Sequence, residues 1–211
     1  MLVVDDHPVF RAGLIGLLQH EPDLAVCGEA ENAARTIAAV ERLRPDLVLL
    51  DMGLPDRSGL ELLKDLQAIC PRLPVLIISM HDETLYAERV LRAGGRGYIM
   101  KQAGPEKIIE AVRKILGGGT YVSERISALI VENISGRRTN DPASSVSRLT
   151  DRELEILRLI GGGREAQDIA SHLHLSIKTV DTHRAHIREK LGLKNTTELI
   201  HYAARWADGQ P

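Results

Sequence analysis

Cysteine is scarce in this chain of 211 residues. Cys27 and Cys70 stand alone in apolar segments, with no metal-type spacing. That argues against a disulfide framework or a cysteine metal centre, and two buried free thiols in a reducing compartment are the expectation. Long hydrophobic runs are missing too. Leu47–Leu50 and Val75–Ile78 are four residues each, whereas crossing a bilayer takes roughly 20. Met1–Val4 leads straight into Asp5 and Asp6, without a basic-then-apolar leader. These absences give the expectation of a cytoplasmic protein with no membrane partner. The first apolar run is followed by Asp6–His7–Pro8 and not by a glycine-rich phosphate loop, which argues against a dinucleotide-binding oxidoreductase. A dominant charge of one sign is also absent, because the net charge is only −2.

The distribution of that charge is more informative. Residues 1–117 carry 14 basic and 17 acidic side chains, whereas residues 148–211 carry 10 and 9. The second region is the less acidic one, although it is no strong electrostatic footprint for nucleic acid. The pattern of the chain changes at the same place. In residues 1–117, short apolar runs at Leu2–Val4, Leu24–Cys27, Leu47–Leu50, Val75–Ile78 and Gly97–Met100 alternate with helical patterns at Val9–Gln19, Ala33–Leu43, Leu60–Ile69, Thr84–Ala93 and Glu106–Leu116. Continuously apolar strands that alternate with helices predict a parallel sheet covered on both faces. The fold class is α/β, a flavodoxin-like doubly wound five-stranded parallel sheet. Residues 118–147 read as a linker with a further helix over Ser123–Ile134, followed by the polar stretch Gly136–Ser147.

Residues 148–211 predict a small all-α domain of four helices. Thr150 and Glu153 have capping-box spacing, flanked by Leu149 and Leu154 at hydrophobic-staple positions. Ala166, Ile169, Ala170 and Leu173 form the stripe of a second helix. Ser176 is placed to cap a third, which runs from Ile177 to about Leu191 with Val180, Ile187 and Leu191 inward and Gly192 at its end. Thr197–Trp206 reads as the fourth. Two helices joined by a short turn form a helix-turn-helix, whose second helix enters the DNA major groove.

In doubly wound sheets, ligands bind beyond the carboxyl ends of the strands. Asp5 and Asp6 end the first strand, Asp51 the third, Ser79 the fourth and Lys101 the fifth. With the first and third strands adjacent, three carboxylates converge and call for a counter-ion. Mg²⁺ suits them, because it favours oxygen ligands and neutralises charge on a phosphoryl group. A hydroxyl and an ammonium at the same edge suit phosphoryl oxygens. Any one of these residues alone is more simply a turn former, a helix cap or a solvated side chain. The joint pattern is what points to phosphoryl chemistry.

The segments VVDDH (3–7), LVLLDMGLPDRSG (47–59), LIISMH (76–81) and RGYIMK (96–101) resemble the receiver domain of bacterial response regulators. LTDRELEILRLI (149–160), DIASHLHLSIKTVDTHRAHIREKLGL (168–193) and NTTELIHYA (195–203) resemble the LuxR-type domain of the NarL/FixJ family. The resemblance implies that Asp51 is the phosphoacceptor. Asp5, Asp6, Asp51 and the backbone carbonyl of Gly53 would hold Mg²⁺, and Ser79 and Lys101 would contact the phosphoryl group. Tyr98 would be the switch aromatic, although a core or interface tyrosine is an equally good reading of that residue alone. Gln102 stands where many receivers have proline. The resemblance also implies DNA contacts by the third helix of the helical domain. Lys178, Asp181, Thr182 and Ala185 would lie near base edges, and Thr179, His183, Arg184 and Lys190 near phosphates. A solvated helix face explains any one of these charges equally well. Leu199, Ile200 and Ala203 would contribute to a dimer contact or, on the simpler reading, to packing within the domain.

The function expected is that of a two-component response regulator. A sensor histidine kinase or phosphotransfer protein phosphorylates Asp51, and this controls homodimerisation and binding to double-stranded promoter DNA. It would not be an enzyme beyond slow self-dephosphorylation. The alternative is a constitutive DNA-binding regulator whose receiver only mediates oligomerisation. A phosphatase is disfavoured because Met52–Gly53 follows Asp51, with no second acid two residues on to serve as general acid.

Overall fold

The computed structural model describes residues 1–134, 146, 148–173 and 175–207. The chain divides into two compact units, Met1–Arg137 and Arg138–Pro211. The boundary falls within the stretch expected to be a linker, and most of Gly136–Ser147 lies outside the described residues. Among the described residues, no helix is long and apolar enough to cross a membrane.

The first unit is a five-stranded parallel sheet in the order β2-β1-β3-β4-β5. Its strands are β1 (Leu2–Val4), β2 (Gly28–Ala30), β3 (Val48–Asp51), β4 (Val75–Ser79) and β5 (Gly97–Met100). They alternate with α1 (Pro8–Gln19), α2 (Ala33–Leu43), α3 (Gly59–Ile69), α4 (Glu83–Arg92) and α5 (Pro105–Leu116). On one face, Val3, Leu49, Ile78 and Ile99 share a core with Leu14 and Leu18 of α1 and Ile108 and Val112 of α5. Their strand neighbours Leu2, Leu50 and Ile77, which point the other way, are also fully buried, so both faces are covered. A sixth helix, α6 (Glu124–Ile134), packs against α4.

The second strand does not lie where the apolar run Leu24–Cys27 predicts it. The register sets Gly28, Glu29 and Ala30 opposite Leu2, Val3 and Val4, so Leu24–Cys27 sits upstream of the paired span. The run supplies a buried anchor at Leu24 and a lead-in to an edge strand. The thiols differ from expectation for the same reason. Both are free, but Cys27 is exposed on that lead-in and Cys70 is half-buried.

The second unit contains α7 (Asp151–Gly161), α8 (Ala166–His172), α9 (Ile177–Leu191) and α10 (Thr196–Ala207). Its start and stop signals are local and explicit. The Thr150 hydroxyl accepts the Glu153 N–H while the Glu153 carboxylate accepts the Thr150 N–H, a complete capping box. Ser176 caps α9 by accepting the Thr179 N–H at 3.1 Å. Gly192 ends α9 at φ +69°, a left-handed conformation that glycine adopts without a Cβ penalty. Leu154, Leu157, Val180, Ile187, Leu199 and Ala203 are buried in this unit, and α7 packs against both α9 and α10.

Candidate functional site

Parallel pairing of β1 with β3 sets Val4 opposite Leu50, which brings the next residues, Asp5 and Asp51, to the same carboxyl edge. Pairing of β4 with β3 and β5 brings Ser79 and Lys101 to that edge as well. The Lys101 backbone N–H donates to the Ser79 carbonyl at 2.8 Å. The Lys101 ammonium lies 2.7 Å from Asp5 Oδ2 and 3.2 Å from Asp51 Oδ2. All three side chains are deeply buried, with exposures of 6% for Lys101, 2% for Asp5 and 5% for Asp51. Burial pushes the Asp51 carboxyl above its ordinary range and the nearby Asp5 charge adds to this, against the opposing pull of Lys101 and the Met52 N–H.

One ammonium does not balance three carboxylates. Ligand atoms from Asp5, Asp6, His7 and Asp51 lie within 4.8 Å of one another. Asp6 Oδ1 is buried and has no hydrogen-bond partner among the described residues. His7 Nδ1 lies 2.6 Å from it, but that contact pairs charge only when the imidazole is protonated. A cluster of hard oxygens with one orphaned carboxylate oxygen fits a divalent cation. Gly53 borders the pocket, since a Cβ placed there would lie 3.6 Å from Asp51 Oδ2.

The loop after β3 is shaped by close contact. A Cβ on Gly59 would fall 2.3 Å from the Asp51 carbonyl oxygen, so glycine permits the start of α3 to close against the end of β3. The Gly59 N–H donates to the Met52 carbonyl at 2.9 Å. From the same loop, Asp56 accepts the Ala33 and Ala34 N–H groups at 3.0 and 3.3 Å and so caps α2.

Ser79 is buried, and its Oγ accepts the His81 N–H at 3.1 Å. Tyr98 is fully buried and turned inward, and its hydroxyl donates to the His81 carbonyl at 2.8 Å. Burial raises the Tyr98 hydroxyl above its usual value, which keeps it neutral and able to donate. Ser79 and Tyr98 therefore hold the same short segment after β4. Next to Tyr98, Gly97 bridges Tyr121, and the Tyr98 N–H donates to the Tyr121 carbonyl at 3.0 Å. No peptide bond among the described residues is cis, including the one between Lys101 and Gln102.

In the helical unit, Lys178, Asp181, Thr182 and Ala185 are exposed on α9, while Thr179, His183 and Arg184 are half-buried. Asp181 and Arg184 lie 3.6 Å apart on the same helix. Lys190 has a partner inside the unit, since its ammonium donates to Glu153 Oε2 at 2.6 Å. Of the three residues considered for a dimer contact, Leu199 and Ala203 are wholly buried within the unit and Ile200 is exposed.

A model of the response regulator receiver domain matches residues 1–113, and a model of the bacterial regulatory proteins of the luxR family matches residues 147–203. The chain belongs to the LuxR-type response regulators. The oxygen regulatory protein NreC of Staphylococcus epidermidis is 36% identical over 210 residues, covering 97% of this chain and 96% of that protein. Among solved structures, RcsB of Salmonella enterica serovar Typhimurium, bound to promoter rprA in the presence of the phosphomimetic BeF3⁻, is 26% identical with a TM-score of 0.71 and covers 96% of both chains. A LuxR-family response regulator from Aurantimonas sp. SI85-9A1 is 30% identical with a TM-score of 0.60, covering 64% of this chain and 96% of its own.

This response regulator therefore joins a receiver domain to a DNA-binding domain, in a family of DNA-binding transcription regulators. Several residues that support the acid pocket carry little signal in sequence. Arg11 donates from one guanidinium nitrogen to the Asp5 carbonyl at 2.6 Å and from Nε to Glu29 at 2.8 Å, tying the end of β1 to β2. Phe10 lies under Lys101, with the ammonium 4.4 Å from the ring centroid. His7 joins the acid cluster. Only His7 had a cue, its place beside the acid pair.

Proposed function

We propose that Asp51 is the phosphoacceptor through which a histidine kinase, or a phosphotransfer protein, controls DNA binding by α9. The observation that carries this reading is the buried Lys101 ammonium held between Asp5 and Asp51 at 2.7 and 3.2 Å. Asp5, Asp6, Asp51 and the Gly53 carbonyl would hold Mg²⁺, which when bound offsets the negative charge that builds up on a transferred phosphoryl group. An Asp51 carboxylate oxygen attacks phosphorus as the phosphorus–nitrogen bond of the donor phosphohistidine breaks, and the donor imidazole leaves with the electron pair. Lys101 exchanges its contact with Asp51 Oδ2 for a phosphoryl oxygen. Ser79 Oγ turns from the His81 N–H to another.

The loss of that hydrogen bond is the start of the conformational signal. Ser79 and Tyr98 both grip His81, so a shift of Ser79 changes the backbone that Tyr98 holds. The added charge, roughly −1.5 to −2, thereby reaches α4 and β5. Only slow self-dephosphorylation is expected of the receiver. The protein acts in the cytoplasm, as a homodimer on double-stranded promoter DNA when phosphorylated. Lys178, Asp181, Thr182 and Ala185 form the exposed α9 surface that reads base edges, with Thr179, His183 and Arg184 closer to phosphates. Lys190 reaches a phosphate only by leaving Glu153. Ile200 is the one exposed residue of the three offered for a dimer contact.

The test is DNA binding by wild type and Asp51→Asn, each with and without a small-molecule phosphodonor and Mg²⁺. Tighter binding by phosphorylated wild type alone is expected. Equal, donor-insensitive binding by both proteins overturns the reading in favour of a constitutive regulator.

A further inference from the structure

We propose that Glu153, His183 and His186 form a second cation site, distinct in chemistry from the acid pocket, which takes a borderline divalent metal of the zinc class and ties α9 to α7. Ligand atoms of the three side chains lie within 4.8 Å of one another. His183 and His186 stand three residues apart on α9, so they share a helix face. Glu153 comes from the first turn of α7.

Each donor has an atom to spare. Glu153 Oε2 is taken by the Thr150 N–H at 2.7 Å and the Lys190 ammonium at 2.6 Å. Oε1 has the looser environment, with His186 Nδ1 at 3.9 Å. His183 Nδ1 is buried and has no hydrogen-bond partner among the described residues. A buried ring nitrogen without a partner carries a desolvation cost that a metal bond would remove. Burial also lowers the tendency of His183 to protonate, with Arg152 and Lys190 adding to the effect against Glu153, which favours the neutral form that ligates metals.

Two imidazoles and one carboxylate are a zinc-type set that leaves a fourth position for water. Mg²⁺ and Ca²⁺ are disfavoured by the nitrogen donors. Metal–ligand bonds of roughly 2.0–2.1 Å need the donors closer together than they now lie. His186 can supply that movement, because its side chain is 54% exposed. Lys190 opposes a cation electrostatically, but it holds the other carboxylate oxygen and is 33% exposed, so its long stem can swing toward solvent.

Co²⁺ is the probe, titrated into the full chain with excess Mg²⁺ present to hold the oxygen-rich pocket. The expected result is a saturable visible absorption of a four-coordinate site at one equivalent, lost on adding Zn²⁺, together with a higher melting temperature in Zn²⁺. His186→Ala should weaken binding by on the order of tenfold or more, and His186→Asp should restore part of it. Asp51→Asn should leave the absorption unchanged. The proposal is overturned if no saturable absorption appears, if His186→Ala binds as wild type does, or if Asp51→Asn abolishes the signal.

Discussion

Each of the two domains contains a buried carboxylate facing a lysine, and the two carboxylates shift in opposite directions. Burial raises Asp51, and Lys101 does not overcome it. Burial also pushes Glu153 upward, but Lys190 and the backbone and hydroxyl groups of Thr150 together carry it below its ordinary value. The difference lies in how the partners are divided. Lys101 is shared between Asp5 and Asp51, and Asp51 Oδ1 accepts the Met52 N–H at 2.9 Å. Glu153 receives Lys190 and also completes a capping box. Glu153 Oε2, which accepts from two donors, is held in place and stabilises its domain, while Oε1 keeps a looser environment. Asp51, left short of partners, is poised to react.

The largest expected effect is on chemistry. Asp51→Asn removes the nucleophile, so phosphorylation by a small phosphodonor in Mg²⁺ should fall to background by intact-mass analysis. Persistent labelling at wild-type level would move the phosphoacceptor elsewhere.

Glu153→Ala comes next and should be felt in stability. It removes the carboxylate half of the capping box and leaves Lys190 without its partner. Breaking a well-buried pair costs about 3–5 kcal/mol, and the partial exposure of Lys190 brings the expected loss down to about 2–3 kcal/mol. The sign with pH follows from the lowered value. The contribution of ionised Glu153 is present above the unfolded value of 4.5 and is lost as pH falls through the lower folded value. Melts of wild type and Glu153→Ala should therefore converge below pH 4.5. A gap that persists unchanged there would assign the loss to packing.

The same comparison predicts the opposite sign for Asp51→Asn in stability. With metal chelated, replacing the under-partnered carboxylate should raise the stability of the full chain by about 0.5–2 kcal/mol, as relief of strain at active sites does. A lower melting temperature would mean that Lys101 needs both acids. Thr150→Ala should have the smallest effect, about 1 kcal/mol, because it removes one cap hydrogen bond while Lys190 stays on Glu153. A loss as large as that of Glu153→Ala would make the cap, not the ion pair, the main support.

Features that depend on near neighbours along the chain are legible from residue spacing alone. Thr150 with Glu153, Ser176 with Thr179, and Gly192 after α9 lie within one helical turn of their partners, so spacing alone announces them. Asp5, Asp51, Ser79 and Lys101 were legible as strand-end residues for the same reason, since each follows its own apolar run. Tertiary structure decided which of them meet. Asp5 reaches Lys101 and Asp51 because β1 pairs with β3, a matter of register between distant segments. The same register places β2 at Gly28–Ala30, past the apolar run Leu24–Cys27. Docking of α9 and α10 on α7 gave Lys190 to Glu153 and buried Leu199 and Ala203 while leaving Ile200 exposed. Periodicity reports which face of an element is apolar. It does not report which element that face will meet, because that choice is made by packing across the whole domain.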